Sequence, residues 1–512
     1  MKTKFIKLGV ALMLILSVSS CSKFLNENPN KSGNDIITEV SQIDLLLNDF
    51  TLTKSGGQIW FSTFFASDDC EIRPNLYKVF TGAAERVTLG IWDKQIYSQT
   101  YSPGYDWASG WDKLFTINTI LEYCDKVTGD KKMIEQLKAE ALFYRAFYHS
   151  LLMVQYALHP NVDGGATPGI GYRDNTNPKA PLERKDVNYT LSRIIQDLDE
   201  SEKILKDLGI TNFDIKRNWR VSLATVYSLR ARIELYIAKN QADYNKAADY
   251  AQKALAIYDV LVNYETDPLL QTTDQPLANK PTKKWKRLQL TLDANNTGNF
   301  AECYFPFTTF KPSAYIDGIP VSKNFYDTFE ENDLRRQKFI DNNYLYVTVP
   351  AIPEFLVQNG LDTLDSKSYY KFNYSSGSAF LLGPSTSEMI LIKAEALARA
   401  NNPAAASAEL KKLRAKRFNA ADIAIANNIG GTLSDVKKER RRELAFSLRW
   451  YDLKRYNQIP GEEVTITKKG LSDTYNLTSP VVTYTLSPSS KFYAMPIPEM
   501  ERQLLGWEQN GD

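Results

Sequence analysis

The chain has 512 residues and a formal net charge of +2, with 43% hydrophobic and 24% charged residues. This composition is ordinary for a folded protein and excludes global disorder. Four cysteines exclude a disulfide scaffold, and two histidines, His149 and His159, leave little room for histidine-based metal or triad chemistry. The distinctive excess is aromatic, with 29 Tyr, 24 Phe and 8 Trp.

The first 20 residues have the features of a secretory signal. Three lysines precede an uncharged apolar run at 8–16, which is shorter than the roughly 20 residues that a transmembrane helix needs. Small residues then lead to Cys21, as in a bacterial lipobox. We therefore predict that 1–20 is a lipoprotein signal peptide and that Cys21 is lipidated; the alternative is a plain secretory signal with a chance cysteine. Residues 21–33 are polar and rich in turn formers, which predicts a lipidated tether and anchoring by lipid alone.

Helical periodicity begins near residue 111. Apolar residues recur at helical spacing in pairs of segments, and alanines lie where two antiparallel helices would approach most closely, which is typical of a tetratricopeptide-type unit. We predict helix pairs over about 111–260 and 386–456, with an irregular insertion over about 262–385. Individual helices are predicted at 132–157, 188–208, 226–237, 244–258, 386–400 and 403–417, with another beginning near 433.

Two segments concentrate the aromatic residues. Residues 60–111 hold half of the tryptophans: Trp60, Trp92, Trp107 and Trp111. The insertion holds a second cluster: Tyr304, Phe305, Phe307, Phe310, Tyr315, Phe325 and Tyr326. Loops longer than about 12–15 residues are usually functional or disordered, and this one is too aromatic to be disordered. Three tryptophans are predicted to be core residues: Trp60, Trp111 and Trp450.

Catalytic and metal motifs are mostly absent. No Gly-x-Ser-x-Gly, Walker A, His-Glu-x-x-His, Cys-x-x-Cys or Rossmann glycine pattern occurs. A calcium-loop-like string at 293–298 has Tyr304 where an EF-hand needs Glu. The acidic pairs at 68–69 and 330–331 could in principle do glycosidase chemistry, but carboxylates are abundant and nothing marks these. We therefore predict that both histidines are structural and that the protein is no enzyme and needs no cofactor or metal.

The run 437–443 is basic but interleaved with acidic residues. Removal of the signal lysines leaves 59 basic against 60 acidic residues in the mature chain, which offers no global attraction to nucleic acid. We expect a helix with (i, i+3) ion pairs, Glu439–Arg442 and Arg440–Glu443. Because Arg440 also falls on the apolar stripe of this helix, we predict that it has a buried partner and a structural role.

Several strings, in their order and spacing, resemble one family. The strings are Ala139–Ala146 (AEALFYRA), 388–417, Arg440–Phe446 (RRRELAF), Arg449–Arg455 (RWYDLKR), Tyr493–Pro498 (YAMPIP) and the closing Gln509-Asn510. Together with the lipobox they resemble the SusD/RagB family, the surface nutrient-binding lipoproteins of Bacteroidetes. The resemblance runs from Cys21 to the C-terminus, so residues 34–512 are interpreted as one SusD-like domain.

The resemblance implies a mainly α fold. Tetratricopeptide-like helix pairs would form a right-handed superhelical scaffold beside a large, irregular, loop-rich ligand-binding portion. It also implies a lipid-anchored protein at the outer-membrane surface that covers a SusC-like TonB-dependent transporter, captures oligosaccharides or peptides and passes them on. The helix pairs would face the transporter, and the irregular segments would hold the ligand.

The aromatic clusters suggest where the ligand binds. Sugar rings stack on large rigid aromatic faces, and polar groups at the rim give orientation. Predicted aromatic contacts are Trp92, Tyr97, Tyr101, Tyr105, Trp107, Trp285 and Tyr315. Predicted orienting groups are Asp68, Asp69 and Arg73. For any one aromatic residue, the alternative is packing in the core.

Two other functions stay open from the residues. A purely structural helical-repeat adaptor of the envelope would bind a partner independently of ligand and would lack an exposed aromatic platform. A glycoside hydrolase would need two acidic side chains converging in a cleft, roughly 5–10 Å apart. Sugar and peptide sites both use aromatic residues and a few charges, so the class of ligand is left open.

Overall fold

The computed structural model describes residues 37–53, 59–74, 84–93, 105–177, 179–277, 280–288, 300–310, 319–341, 368–369, 372–374, 377–474 and 476–510. Its helices are α1 (Val40–Leu47), α2 (Phe50–Thr53), α3 (Phe61–Ala66), α4 (Ala84–Gly90), α5 (Tyr105–Cys124), α6 (Lys131–Tyr156), α7 (Val187–Asp207), α8 (Leu223–Ile237), α9 (Gln241–Ile257), α10 (Lys323–Tyr326), α11 (Leu334–Phe339), α12 (Thr386–Arg399), α13 (Pro403–Arg414), α14 (Ile423–Asn427), α15 (Leu433–Glu443), α16 (Arg449–Tyr456) and α17 (Glu499–Leu505). Its strands are β1 (Thr272–Leu277), β2 (Lys280–Leu288), β3 (Thr308–Phe310), β4 (Ile319–Pro320), β5 (Ile340–Asp341), β6 (Ser368–Tyr369), β7 (Phe372–Tyr374), β8 (Gly377–Leu381), β9 (Ile466–Leu471) and β10 (Val481–Leu486).

The predicted helix pairs are confirmed, with ends within a few residues of those expected. Helix α5 packs on α6, α6 on α7, α8 on α9, and α12 on α13. Seven of these paired or following helices begin at a residue whose side chain accepts a backbone N–H of the first turn: Asp130, Asp186, Ser222, Asn240, Ser385, Asn402 and Thr432. These caps satisfy donors that a helix cannot pair internally, and Pro403 occupies the first turn of α13 as predicted.

Small residues let the paired helices approach closely. Ala247, Ala251 and Ala254 of α9 are fully buried against α8. On α13 the predicted stripe is likewise fully buried and consists of Ala406, Leu410 and Leu413. Burial of each large apolar side chain contributes about 1.5–3 kcal/mol. The tetratricopeptide-like character of the helix pairs is therefore present in the packing as well as in the sequence.

The insertion contains more regular structure than expected. Antiparallel pairs join β1 to β2, β3 to β8, β8 to β7, and β6 to both β4 and β5. The strands are two to nine residues long. In strands this short, the alternation of apolar and polar residues repeats too few times to be recognised. The sequence therefore predicted an irregular segment. The calcium-loop-like string at 293–298 lies outside the described residues.

An aromatic seam, formed by Phe143, Phe147, Phe305 and Phe307, joins the insertion to α6. The ring of Phe147 meets Phe305 edge-on at 5.1 Å and Phe307 at 4.8 Å between centroids. All four side chains are fully buried. A Cβ on Gly383 would lie 1.6 Å from the Phe305 carbonyl oxygen, so only glycine allows the chain to pass there. Phe305 and Phe307 of the second aromatic cluster are therefore core residues, which is the alternative that the sequence left open for any one aromatic residue.

An arginine wall joins the insertion to α13 and α15. It consists of Arg335, Arg414, Arg417, Glu439 and Glu443, all with exposures of 1% or less. Arg335 donates to Glu439 at 2.7 Å and to Glu443 at 2.9 Å, and Arg417 donates to Glu443 at 2.8 Å. Each carboxylate is shared by at least two guanidinium groups, which is what a buried charge needs to be tolerated.

Arg440 has the buried partner that its position on the apolar stripe predicts. Its Nε donates to both oxygens of Asp452 at 2.9 Å. The pair Glu439–Arg442 is also confirmed at 3.0 Å. The expected pair Arg440–Glu443 is wrong, because Glu443 is taken by the arginine wall. Four charged residues of this run are buried: Glu439, Arg440, Arg442 and Glu443.

The N-terminal predictions lie outside the described residues, since the signal peptide, Cys21 and the tether precede residue 37. None of the described helices combines the length and apolar character that crossing a bilayer requires. The remaining cysteines, Cys70, Cys124 and Cys303, are all buried and none of them is in a disulfide, as expected for a chain not organised by disulfides.

Candidate functional site

Asp68 and Asp69, two of the predicted orienting groups, hold the chain that follows α3. Asp68 receives a bidentate pair from Arg449 at 2.6 and 2.8 Å. Asp69 accepts from Arg441 at 2.7 Å and from the Phe446 backbone N–H at 2.9 Å. Burial favours the neutral form of Asp68, but the two arginines outweigh it and hold the pKa of that carboxyl well below its usual range. Burial and the neighbouring Asp68 instead raise the pKa of Asp69. Both side chains are therefore buried and structural, with Asp68 held as an anion.

The residues after Asp69 pair with the insertion. The Ser322 N–H donates to the Asp69 carbonyl at 2.8 Å, and Cys70 and Val321 form an antiparallel bridge. The Glu71 N–H donates to the Pro320 carbonyl of β4 at 3.3 Å, and Arg73, two residues further on, lies 3.9 Å from Glu71 between charged atoms.

Trp92 is predicted to meet ligand, and the structure places it at the end of α4 with only 7% exposure. Its Nε1 donates to the Ala66 carbonyl at 2.9 Å, and the Lys468 ammonium lies 5.1 Å from its ring centroid. Lys468 in turn donates to the Phe65 carbonyl at 2.6 Å. Trp92 thus fixes α4 against α3, and any face it offers to ligand is small.

The other predicted aromatics divide into two groups. Tyr97, Tyr101 and Tyr315 lie outside the described residues. Tyr105 begins α5, and Trp285 lies in β2 opposite Gln275 of β1. Their contacts with ligand stay predictions.

Trp107 is a predicted contact that the structure connects to a surface groove. It is 1% exposed, and its ring meets Tyr156 at 4.9 Å, Trp111 at 5.4 Å and Trp507 at 6.1 Å between centroids. The ring forms the floor of a groove of about 240 Å³ between α5, α17 and the loop 173–182. Trp107 therefore supports the groove from below, and little of its own surface is available.

The walls of this groove contain the residues that sequence reasoning missed. Trp111 is half-buried rather than core, and its Nε1 is a buried donor without a hydrogen-bond partner. Phe115 is 55% exposed. Trp107, Trp111 and Phe115 recur every four residues on one face of α5, and that spacing in an aromatic helix start is the signal that could have found them.

Polar and apolar groups complete the rim of the groove. The loop contributes Arg173, Asn175, Thr176, Asn177 and Leu182, and α17 contributes Glu501, Leu504 and Leu505. Arg173 donates to the Ala180 carbonyl at 3.0 Å, which closes the loop on itself. Leu504 is 81% exposed. The groove thus combines flat aromatic faces with amide, hydroxyl, guanidinium and carboxylate groups at its edge, as sites for small polar ligands do.

Both histidines are buried and fully hydrogen-bonded, as predicted for structural residues. His149 Nδ1 contacts the Arg145 carbonyl at 2.9 Å, and its Nε2 accepts the Arg173 N–H at 3.2 Å. Burial lowers the pKa of both rings to about 3, so they are neutral. Of the acidic pair at 330–331, Glu330 forms ion pairs with Arg414 and Arg442. The described parts of the chain hold no group of three or more His, Cys, Asp or Glu side chains placed to bind a metal ion.

Comparison with known families gives two matches. The family model described as "Starch-binding associating with outer membrane" (SusD-like) matches residues 23–235, and the model of the SusD family (SusD_RagB) matches residues 386–506. The two ranges contain the first helix pairs and the arginine-rich segment, respectively. No curated protein sequence matches this chain.

Solved structures share the fold along nearly the whole chain. A SusD superfamily protein from Bacteroides thetaiotaomicron VPI-5482 superposes with a TM-score of 0.65 at 15% identity, covering 93% of this chain and 100% of its own. Surface glycan-binding protein A from Bacteroides uniformis gives 0.62 at 16% identity, covering 92% and 98%. The protein of the same description from Bacteroides thetaiotaomicron gives 0.57 at 17% identity, covering 92% and 98%. At these identities the likeness shows the fold.

Proposed function

The chain belongs to the SusD/RagB family, and on this premise we propose that it binds a glycan at the cell surface without transforming it. The family description names starch binding at the outer membrane, and two of the similar structures are surface glycan-binding proteins. The chemistry of the described residues agrees with binding rather than hydrolysis, because three of the four carboxylates considered for glycosidase work, Asp68, Asp69 and Glu330, form ion pairs with arginines. A short peptide is the alternative ligand.

The observation that carries this proposal is the groove beside α5. The C–H face of a pyranose ring stacks on a flat apolar surface, and Trp111 and Phe115 offer such surfaces side by side. The amides of Asn175 and Asn177, both exposed, lie within the same rim.

The predicted loop aromatics extend the same proposal. Five predicted contacts lie in or just before α5, β2 and β4 in the sequence: Tyr97, Tyr101, Tyr105, Trp285 and Tyr315. An oligosaccharide has several rings, so one ring in the groove leaves others for these residues. We assign them the role of additional stacking platforms, with Arg73 as an orienting group.

Tryptophan fluorescence of the mature protein, titrated against neutral oligosaccharides and short peptides, tests the proposal. A saturable change with one oligosaccharide is expected. Trp111→Ala and Phe115→Ala should each weaken binding by about tenfold, equivalent to about 1.4 kcal/mol.

The matched control is Trp219→Ala, which also removes a half-buried tryptophan but lines no part of the groove; its Nε1 donates to Asn48. This variant should bind as the wild type does. A response to peptides alone would favour the peptide alternative. Unchanged affinity in both groove variants would remove the groove from the site and leave the loop aromatics as the place to test.

Delivery to a transporter is the second part of the proposal. We assign Cys21 as the lipid anchor and a SusC-like TonB-dependent transporter as the partner that takes the glycan onward. Surface proteolysis of intact cells should reach the wild-type protein, whereas Cys21→Ser should release it from the outer-membrane fraction. Co-purification of a TonB-dependent transporter with wild type supports the partnership, and its absence from gently solubilised outer membranes contradicts it.

A further inference from the structure

Arg173 organises the polar rim of the groove. It lines the groove, and its guanidinium donates to the Ala180 carbonyl at 3.0 Å and to the Asn177 carbonyl at 3.3 Å. Asn175 and Asn177 carry the exposed amides of the same rim. The position of these amides therefore depends on where the backbone of Arg173 lies.

Two buried side chains clamp that backbone, one on each side of the residue. The Nε2 atom of His149, on α6, accepts the Arg173 N–H at 3.2 Å. The Nδ2 atom of Asn118, on α5, donates to the Arg173 carbonyl at 3.0 Å. His149 is 0% exposed and Asn118 is 1% exposed. Because the peptide groups before and after the Arg173 Cα atom are both held, the start of the rim is fixed against two helices.

Arg145 orients both clamping side chains. Its carbonyl lies 2.9 Å from His149 Nδ1, which places the ring proton on Nδ1 and leaves Nε2 as an acceptor. Its guanidinium donates to Asn118 Oδ1 at 3.4 Å, which leaves the Nδ2 of that amide for Arg173. Asp197 of α7 fixes Arg145 in turn by accepting two N–H bonds of 2.8 and 2.7 Å. This network selects the imidazole tautomer and the amide orientation that the clamp needs.

The other side-chain contacts that tie this loop to the helices lie at the surface. Arg193 and Asp174, whose side chains are 26% and 40% exposed, are 3.1 Å apart between charged atoms. Thr176 donates to Glu122, and both residues are at least partly exposed. Exposed pairs of this kind contribute little, because water competes for both partners. The two buried contacts to Arg173 therefore decide how firmly the rim is held.

We propose that His149 and Asn118 are positioning residues of the glycan site, which hold the rim amides in place beside Trp111 and Phe115 before a ligand binds. This inference rests on the proposed function of the groove. Neither His149 nor Asn118 lines the groove, so both act through Arg173. A rim that is already in place does not have to be ordered by the ligand, so less of the interaction free energy is lost on binding.

Two substitutions of His149 separate this role from a contribution to stability. His149→Gln places an oxygen near the position of Nε2 and can still accept the Arg173 N–H, whereas the side chain in His149→Asn is too short to reach it. Both variants remove the imidazole that stacks on Tyr172 at 4.0 Å between centroids, so both should lower the midpoint of urea unfolding to a similar extent. Only His149→Asn should release the rim.

Binding is measured by tryptophan fluorescence with maltohexaose, cellohexaose and xylohexaose, and the rim is followed by hydrogen–deuterium exchange of residues 173–177 in the protein without ligand. His149→Asn should weaken binding of the hexasaccharide that the wild type prefers by about tenfold, whereas His149→Gln should stay within about threefold of the wild type. His149→Asn should also speed exchange of the Arg173 amide, and Asn118→Leu should reproduce both effects. The matched control is Thr119→Val, which removes a hydroxyl that bonds only the Phe115 carbonyl within α5 and should change neither affinity nor exchange.

Equal losses of affinity in His149→Gln and His149→Asn would assign both to lost stability and overturn the proposal. Faster exchange of residues 173–177 with unchanged affinity would show that the rim does not serve the ligand, which also overturns it. If Trp111→Ala weakened hexasaccharide binding and His149→Asn did not, the groove would stand and the positioning role would fall. Absence of binding by the wild type would overturn the proposed function, and this inference with it.

Discussion

The insertion is attached to the helix pairs in two places by opposite kinds of chemistry. The aromatic seam presses Phe305 and Phe307 onto α6 without a single charge, whereas the arginine wall ties Glu302 and Arg335 to α13 and α15 with almost nothing but charges. Both are fully buried. Apolar packing is non-directional and tolerates partial loss, but a buried ion network is stable only while every partner is present.

The largest expected effect is in the wall. Arg417 donates to Glu302, to Glu443 and to the Val262 carbonyl, so Arg417→Met removes one guanidinium from two buried carboxylates at once. We expect a loss of about 3–5 kcal/mol in the free energy of unfolding, measured by urea denaturation at pH 7. Arg417→Lys should lose nearly as much, because an ammonium cannot reproduce the planar fork.

The control for the wall is Arg217→Met, which removes a 68% exposed arginine paired with Asp214. A surface pair of this kind contributes about 0–1 kcal/mol, so little should change. If Arg417→Met lowered the free energy of unfolding no more than this control, the wall would contribute little to stability and the seam alone would hold the insertion in place.

The seam should respond less sharply to the choice of substitution. Phe147→Ala opens a cavity between Phe305 and Phe307 and should cost about 3–4 kcal/mol in the same urea assay. Phe147→Leu keeps much of the buried volume and should recover most of that loss. Equal losses in the two variants would contradict the view that the seam depends on buried volume, and would point to a ring-specific requirement.

The two attachments also differ in how far the sequence could predict them. The position of Arg440 on the apolar stripe of its helix was enough to predict a buried partner. No sequence pattern could identify that partner as Asp452, or predict that Arg417 pairs with Glu302, 115 residues earlier in the chain. Helix pairs are predictable because their periodicity is local. Pairing between segments far apart in the chain depends on the fold itself.

The candidate site shows the same limit. Aromatic residues serve a core and a ligand face equally well, so composition could not separate Phe305, which is core, from Phe115, which is exposed. The sequence predicted Asp68 to orient ligand, because no sequence pattern links it to its arginine partner. That partner, Arg449, comes 381 residues later. Conversely, the spacing of Trp107, Trp111 and Phe115 was present in the sequence, but a helical stripe of aromatics more often indicates a core.

Acid should weaken the wall through Glu439. Burial favours its neutral form, but the surrounding arginines outweigh burial and lower its pKa from 4.5 to about 2. The folded state therefore binds this proton less readily than the unfolded state. The stabilisation is complete above about pH 4.5 and is lost as the pH falls towards 2, a loss of about 3 kcal/mol from this residue. In Glu439→Gln, stability measured by thermal unfolding across this range should fall less steeply, whereas an unchanged slope would assign the acid response to other groups.

Acid should begin to destabilise α6, the helix that carries Phe143 and Phe147 of the seam, at a higher pH than it destabilises the wall. The group responsible is His149. Burial lowers the pKa of this imidazole from 6.5 to about 3, and a proton on Nε2 would break its bond from the Arg173 N–H. The folded state again binds the proton less readily, so the contribution of His149 is full above about pH 6.5 and falls by about 2 kcal/mol by pH 5, before Glu439 contributes. His159, whose pKa is also lowered to about 3 by burial, adds a loss of similar size in the same range. The imidazole C–H resonances of folded protein should stay at their neutral positions at pH 5. Movement of those resonances near pH 6.5 would show that water reaches His149, and the first stage of acid weakening would then have to come from the wall.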